Sequence, residues 1–288
     1  MELIPSMRQA IDYMEEHMLD GIGYEDVAKH LYMSNYHFHR LFSMLTGMSP
    51  REYMRNRRLS MAAQEISVSD ARIIDLALKY GYETPDGFTK AFSRFHGITP
   101  NQVKKSGVQL KNFGRLTIKL TMEGGRPMDY RIVEKAPFQL LAKVESFRNE
   151  TLSDDSNEIP QFWDRCGSDG TFDLLHQYST GKDIYGICAP ISRESDHFEY
   201  GIGMTYEGGT VPDGFRVWTV KPTMWAVFKC IGKDGHCIGE MWDRIFHEFL
   251  PCYAYNMLDD VDFELYPGEE DADYFCEIWI PVEKKMQK

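Results

Sequence analysis

Apolar positions recur at helical spacing through the first hundred residues and at alternate positions after about residue 128. Met7, Ile11 and Met14 form one stripe, and Val27, Ala28 and Leu31 mark a second, short helix. A turn through Tyr32-Met33 leads to Ser34, a good N-cap for a helix carrying Phe38, Leu41 and Phe42. A longer helix over 51–66 starts with Arg51, Arg55, Arg57 and Arg58. Ile73, Ile74, Leu76, Ala77 and Tyr80 then form a short helix stopped by Gly81. Thr84 caps the next one, with Pro85 at its first position, where a missing N–H costs nothing.

This pattern contains a repeat. Phe38-x3-Phe42-Ser43-x3-Gly47-x-Ser49-Pro50 recurs fifty positions later as Phe88-x3-Phe92-Ser93-x3-Gly97-x-Thr99-Pro100. Aromatics at i and i+4 share one helix face, the glycine supplies a left-handed stop, and the proline bars continuation. Each copy follows a short apolar helix and a turn. The pattern predicts two helix-turn-helix units joined by one stiff helix, able to reach successive major grooves about 34 Å apart.

Beyond Ser106 the helical period is lost. Gly107, Gly114, Gly124, Gly125 and Pro127 indicate a linker over 108–127, with one short strand expected at 116–120. Strands are predicted at 128–135, 139–147, 184–189, 199–206, 215–220, 224–231, 262–266 and 274–281, and helices at 158–177 and 237–249. The second helix is amphipathic through Ile238, Met241, Trp242, Ile245, Phe246 and Phe249. The expected architecture is two domains. An all-α double helix-turn-helix over 1–107 precedes an α+β domain over 128–288, built of two strand-strand-helix-strand-strand repeats sharing a sheet.

Charge divides the chain in the same place. Residues 1–107 carry 13 Lys+Arg against 13 Asp+Glu, whereas the remaining 181 carry 19 against 31, which is the whole net charge of −12. A neutral first domain binds nucleic acid only where its basic side chains cluster. The acidic second domain could mimic the charge of DNA as a protein-interaction surface, or be simply a solubilising exterior. The six cysteines all follow residue 165 without a C-x-x-C pair, so reduced thiols are expected, with no disulfide framework. Cys230, His236, Cys237, His247 and Cys252 match no zinc template, and neither metal nor cofactor is expected. No charged-then-apolar leader and no apolar run of eighteen residues is visible, so a cytoplasmic protein without membrane contact is expected.

The repeated phenylalanines are core, so function falls to the opposite, polar faces: Asn35, Tyr36, His39 and Arg40 in the first unit, and Asp86, Gly87, Lys90 and Arg94 in the second. Gly81-Tyr82 followed by Phe88-x3-Phe92-Ser93-x3-Gly97-Ile98-Thr99-Pro100 resembles the signature of AraC/XylS-type transcriptional regulators, and 8–107 as a whole resembles their DNA-binding domain. The resemblance implies base or phosphate contacts from Tyr36, His39 and Arg40, and from the positions of Pro85, Asp86, Gly87 and Lys90. Pro85 and Gly87 cannot donate side-chain hydrogen bonds to bases. The first unit is therefore expected to read sequence, and the second to add Lys90 and backbone phosphate contacts. An arginine on guanine is worth roughly 1–3 kcal/mol of discrimination, which makes Arg40 the leading residue. The expected partners are double-stranded promoter DNA, a small-molecule effector and RNA polymerase.

In the second domain Glu277 stands within Phe275-Cys276-Glu277-Ile278-Trp279-Ile280-Pro281, where strand alternation puts it on a face with Phe275 and Trp279. A carboxylate among aromatics is costly to bury without a partner, and such a pair of features attracts an organic cation. The bland alternative is a solvent-facing strand residue. Phe263-Glu264-Leu265-Tyr266, the run from Glu277 to Val282, Trp225-Ala226-Val227-Phe228 and Leu250-Pro251 resemble the gyrase-inhibitor-like effector-binding domains. That resemblance covers 128–283. It implies a cleft between the two repeats that takes amphiphilic cations or other small hydrophobic molecules, with Glu277 at its floor. The expected lining is Glu277 with Trp225, Phe275, Trp279, Tyr206 and Tyr255. An alternative for this domain is a hydrolase of small hydrophobic molecules, with a pocket glutamate as general base.

Overall fold

The computed structural model describes residues 3–103, 108–118, 127–152, 157–269 and 272–285. The first domain is α1 (Leu3–Glu16), α2 (Tyr24–His30), α3 (Asn35–Thr46), α4 (Pro50–Val68), α5 (Ile73–Lys79), α6 (Pro85–His96) and α7 (Pro100–Val103). The two recognition helices begin and end as the repeat requires. The Ser34 hydroxyl accepts from the His37 amide and the Thr84 hydroxyl from the Gly87 amide. Gly47 and Gly97 close the helices at φ 70° and 80°, a region a side chain resists.

The second domain contains β1 (Tyr130–Lys135), β2 (Phe138–Arg148), α8 (Glu158–Ser168), α9 (Thr171–Tyr178), β3 (Ile184–Pro190), β4 (His197–Thr205), β5 (Arg216–Val220), β6 (Thr223–Cys230), α10 (His236–Arg244), β7 (Tyr255–Met257), β8 (Asp262–Tyr266) and β9 (Cys276–Lys284). The eight longer strands form one antiparallel sheet in the order β1-β6-β9-β8-β3-β4-β2-β5, with β7 added to β9. Exchanging the first repeat for the second maps this order onto itself. An internal two-fold therefore runs between β8 and β3, where Glu264 pairs with Gly186. One face of the sheet carries the helices. The other packs on itself through Leu140, Ile187, Trp218, Trp225, Phe263 and Trp279.

Three expectations need correction. The helix over 158–177 is two helices, because Gly170 takes φ 83° and the Asp169 carboxylate accepts from the Thr171 amide (3.0 Å) and hydroxyl (2.5 Å). Residues 116–118 make no strand, while Lys119, Leu120, Gly107, Gly124 and Gly125 lie outside the described residues. The last strand starts at Cys276, which leaves Phe275 in a bend outside its alternation. Beyond α10 the chain continues through a π-helical segment, Ile245–Phe249, and one turn, Leu250–Cys252.

The two helix-turn-helix units have different surroundings. Leu59, Ile66, Leu76, Phe88 and Phe92 form a core belonging to the second unit. Met7, Ile11, Phe38 and Phe42 of the first unit instead belong to one continuous core with Phe228, Trp242, Phe246, Phe249, Ile278 and Ile280 of the second domain. Each fully buried side chain of this size contributes about 1.5–3 kcal/mol, so the first unit is held to the sheet domain by core packing.

Candidate functional site

The helix-bearing face of the sheet places Asp262, Glu264 and Tyr266 side by side, because alternate residues of β8 point the same way. Glu264 lies at the internal two-fold. A Cβ at Gly186 would stand 2.4 Å from the Tyr200 hydroxyl and 2.9 Å from the Glu264 carboxylate, so only glycine leaves room there. The Trp163 indole donates to the Tyr200 hydroxyl (2.9 Å), which donates to Glu264 (3.3 Å). Trp163 meets Tyr266 edge-on with centroids 5.0 Å apart. Trp242 on α10 also stands near Glu264 and favours its ionised form. Desolvation pushes the Glu264 carboxyl up to about 7, Asp262 adds repulsion, and Arg40 partly offsets both. The result is a half-buried carboxyl at the edge of ionisation, ringed by four aromatic side chains. Beside it, Tyr266 and Phe275 wall an open cleft of about 440 Å³.

The N-terminal end of α3 is seated over this site. Arg40 reaches in, with 5% of its side chain exposed, and pairs with Asp262, of which 2% is exposed. Its guanidinium lies 4.0 Å from the Trp242 ring centroid, and Nη1 donates to the Tyr36 hydroxyl at 2.8 Å. Burial alone would lower the Arg40 pKa, but Asp262, Tyr36 and Cys188 together outweigh it and the net shift is upward. Burial raises the Asp262 carboxyl, against the pull of Arg40. Around this centre the second domain grips the start of the helix. Asp259 accepts from the Ser34 amide (2.8 Å) and hydroxyl (2.7 Å), the Arg193 carbonyl from the Asn35 amide (2.8 Å), and the Glu194 carbonyl from the Asn35 side chain (2.9 Å).

Every polar-face residue of the first recognition helix is therefore buried. Asn35, Tyr36 and Arg40 face the second domain. His39 is fully covered, with neither ring nitrogen hydrogen-bonded, and burial lowers its pKa to about 4. On the second recognition helix, Asp86, Gly87, Lys90 and Arg94 are exposed. The basic start of α4 is mostly used internally. Arg57 forks onto Glu15 at 2.7 and 2.6 Å, and Arg58 donates to the Met18 and Ile22 carbonyls.

The expected ligand-lining residues are spread over several places. Glu277 lies on the sheet face opposite Glu264, and its carboxylate is taken by a two-pronged bond from Arg131 (2.8 and 2.7 Å) and by the Trp279 indole (3.1 Å). Trp225 and Trp279 share that face. Tyr206 is buried in the packing beneath α8 and α9, and Tyr255 stacks on Phe249 with centroids 6.2 Å apart. Of the six, Phe275 stands beside the Glu264 site, 5.8 Å from the Tyr266 ring. Sequence reasoning passed over Glu264, Asp262, Trp163, Tyr200 and Trp242. The available signal was Asp262-x-Glu264-x-Tyr266, two carboxylates on one face of a core strand. Among the described residues no group of His, Cys, Asp and Glu is placed to hold a metal, and no helix is long and apolar enough to cross a membrane.

The family described as "Integron-associated effector binding protein" matches residues 131–282, and a helix-turn-helix family matches 27–106. The HTH-type transcriptional activator AarP of Providencia stuartii is 32% identical over 94 residues, 33% of this chain and 70% of that protein. The chain belongs to the AraC-type regulators and carries an integron-associated, gyrase-inhibitor-like effector-binding domain. Another AraC-type relative, the regulator YbfP of Bacillus subtilis (strain 168), is 37% identical over 95 residues; the chain spans 32% of its length, and the match is 33% of this chain. The solved structure of SAV2435 bound to tetraphenylphosphonium aligns with 54% of this AraC-type chain and 94% of that one, at 23% identity and a TM-score of 0.47. The family boundary at residue 131 falls within β1, where the effector sheet begins.

Proposed function

We propose that the protein is a ligand-responsive transcription regulator. Its helix-turn-helix units bind promoter DNA, and the Glu264 site takes an organic cation with an aromatic or apolar body. One observation carries this reading: a half-buried carboxyl ringed by Trp163, Tyr200, Tyr266 and Trp242 shares a wall with the recognition helix of the first unit. Aromatic faces and a desolvated carboxylate favour a cation that has a small hydration cost, and each cation–π contact adds about 0.5–2 kcal/mol. A ligand bound there acts on DNA binding only by preferring one arrangement of the domains over another.

Calorimetric titration of the full chain with tetraphenylphosphonium tests the site. Glu264→Gln should weaken binding at least tenfold, whereas Glu277→Gln should leave the affinity unchanged and lower stability by about 1 kcal/mol through its half-exposed Arg131 partner. The reverse order of effects would move the site to the opposite sheet face. Mass spectrometry of a bound carboxylic ester should recover it intact; turnover would make the domain a hydrolase.

A further inference from the structure

We propose that Arg40 is a tethered occupant of the effector's cation site, so that the effector and the first recognition helix compete for the same carboxylates and the same tryptophan face. This rests on the sensing reading above and adds its regulation. The geometry supports it in three ways. Arg40 makes the contacts that an incoming cation would make: a carboxylate pair with Asp262, a ring face on Trp242 at 4.0 Å, and a phenol oxygen from Tyr36 at 2.8 Å. Two positions along the strand from Asp262, Glu264 shares that face and that tryptophan, and among the described residues it is held in no ion pair. The same docking buries Asn35, Tyr36, His39 and Arg40, so the first unit cannot present them to base edges while Arg40 is in place.

The energetics suit exchange. A buried ion pair gains little over its desolvation cost, and it is weak as a source of stability. Removing Arg40 alone would leave Asp262 and Glu264 buried without a counter-charge. A soluble cation that takes its place restores the charge balance and lets Arg40 return to water or to a phosphate. The ligand class that fits is a planar amidinium or guanidinium cation on an aromatic body, matching the group it displaces.

The full chain can be titrated with benzamidine, a small planar cation. Arg40→Met keeps the stem packed on Trp242 and removes the charge; it should bind benzamidine at least tenfold more tightly than wild type, and Glu264→Gln at least tenfold more weakly. Equal affinity for wild type and Arg40→Met, with binding lost in Glu264→Gln, keeps the sensing reading and overturns the competition. Absence of binding in both wild type and Arg40→Met overturns both. A second arm needs no ligand: Asp262→Asn should speed amide exchange across α3 at least tenfold while α6 is unchanged. An α3 that exchanges at the wild-type rate in Asp262→Asn overturns the competition whatever benzamidine does.

Discussion

Two desolvated ionisable residues, one buried and one half-buried, give the protein opposite pH dependences. His39 is neutral when folded, with a pKa lowered by burial from 6.5 to about 4. The unfolded chain takes up that proton first. Its contribution is therefore complete above about 6.5 and is lost as pH falls toward 4, by roughly 3 kcal/mol. Glu264 behaves in the other sense. Its folded pKa is raised from 4.5 to about 7, so the folded chain holds the proton longer, and its contribution is complete below 4.5 and lost as pH rises through 7. Denaturant melts at pH 5, 6.5 and 8 separate the two. The two windows overlap and oppose each other between pH 5 and 6.5, so relative to wild type His39→Leu should lose stability as pH rises from 5 to 6.5, and Glu264→Gln should gain it. An unaltered acid-side slope in His39→Leu would show that the ring is solvated in solution.

At the scale of elements, the two recognition helices share a sequence pattern and differ in what their caps touch. Ser34 caps α3 and also holds Asp259, whereas Thr84 is an exposed residue that caps α6. Loss of a cap costs about 1 kcal/mol. Thr84→Ala should cost that much, and Ser34→Ala about 1 kcal/mol more for its bond to a carboxylate across the domain boundary. Equal losses in chemical denaturation would mean that the Asp259 contact contributes nothing. The caps, the glycine stops and the strand alternation were legible in the sequence because each depends on residues within a few positions of one another. The docking of α3 was not, since Ser34 and Asp259 stand 225 residues apart and nothing local signals their meeting. The different surroundings of the two glutamates were hidden for a related reason. Glu277 and Glu264 both interrupt aromatic strands, and they are distinguished by Arg131, which satisfies Glu277 from another strand. The expectation that the first unit reads sequence was drawn from the family resemblance and side-chain chemistry, neither of which carries the packing of α3. In this arrangement the exposed polar face is that of the second unit, with Lys90 and Arg94.

At the scale of the whole molecule the division into domains by sequence differs from the division by core. The first helix-turn-helix shares one apolar core with β6, β9 and α10, while the second has its own. The acidic balance of the effector domain takes on a specific meaning here, because Asp259, Asp262 and Glu150 are turned on Ser34, Arg40 and Arg51 of the helix-turn-helix domain. Two of those carboxylates, Asp259 and Asp262, cover the start of α3. The shared core makes the cooperative units testable. Phe228 is fully buried in it, packed 4.9 Å from the Phe249 ring, and Phe228→Ala should cost about 3–5 kcal/mol. That loss should lower amide protection in α1, α2 and α3 together with β6 and β9, and leave α5 and α6 near wild type. Phe88→Ala should do the opposite, opening α5 and α6 alone. If Phe228→Ala leaves α1 to α3 fully protected, the first unit is an independent module resting on the sheet, and a ligand could release it without disturbing the effector domain's own core.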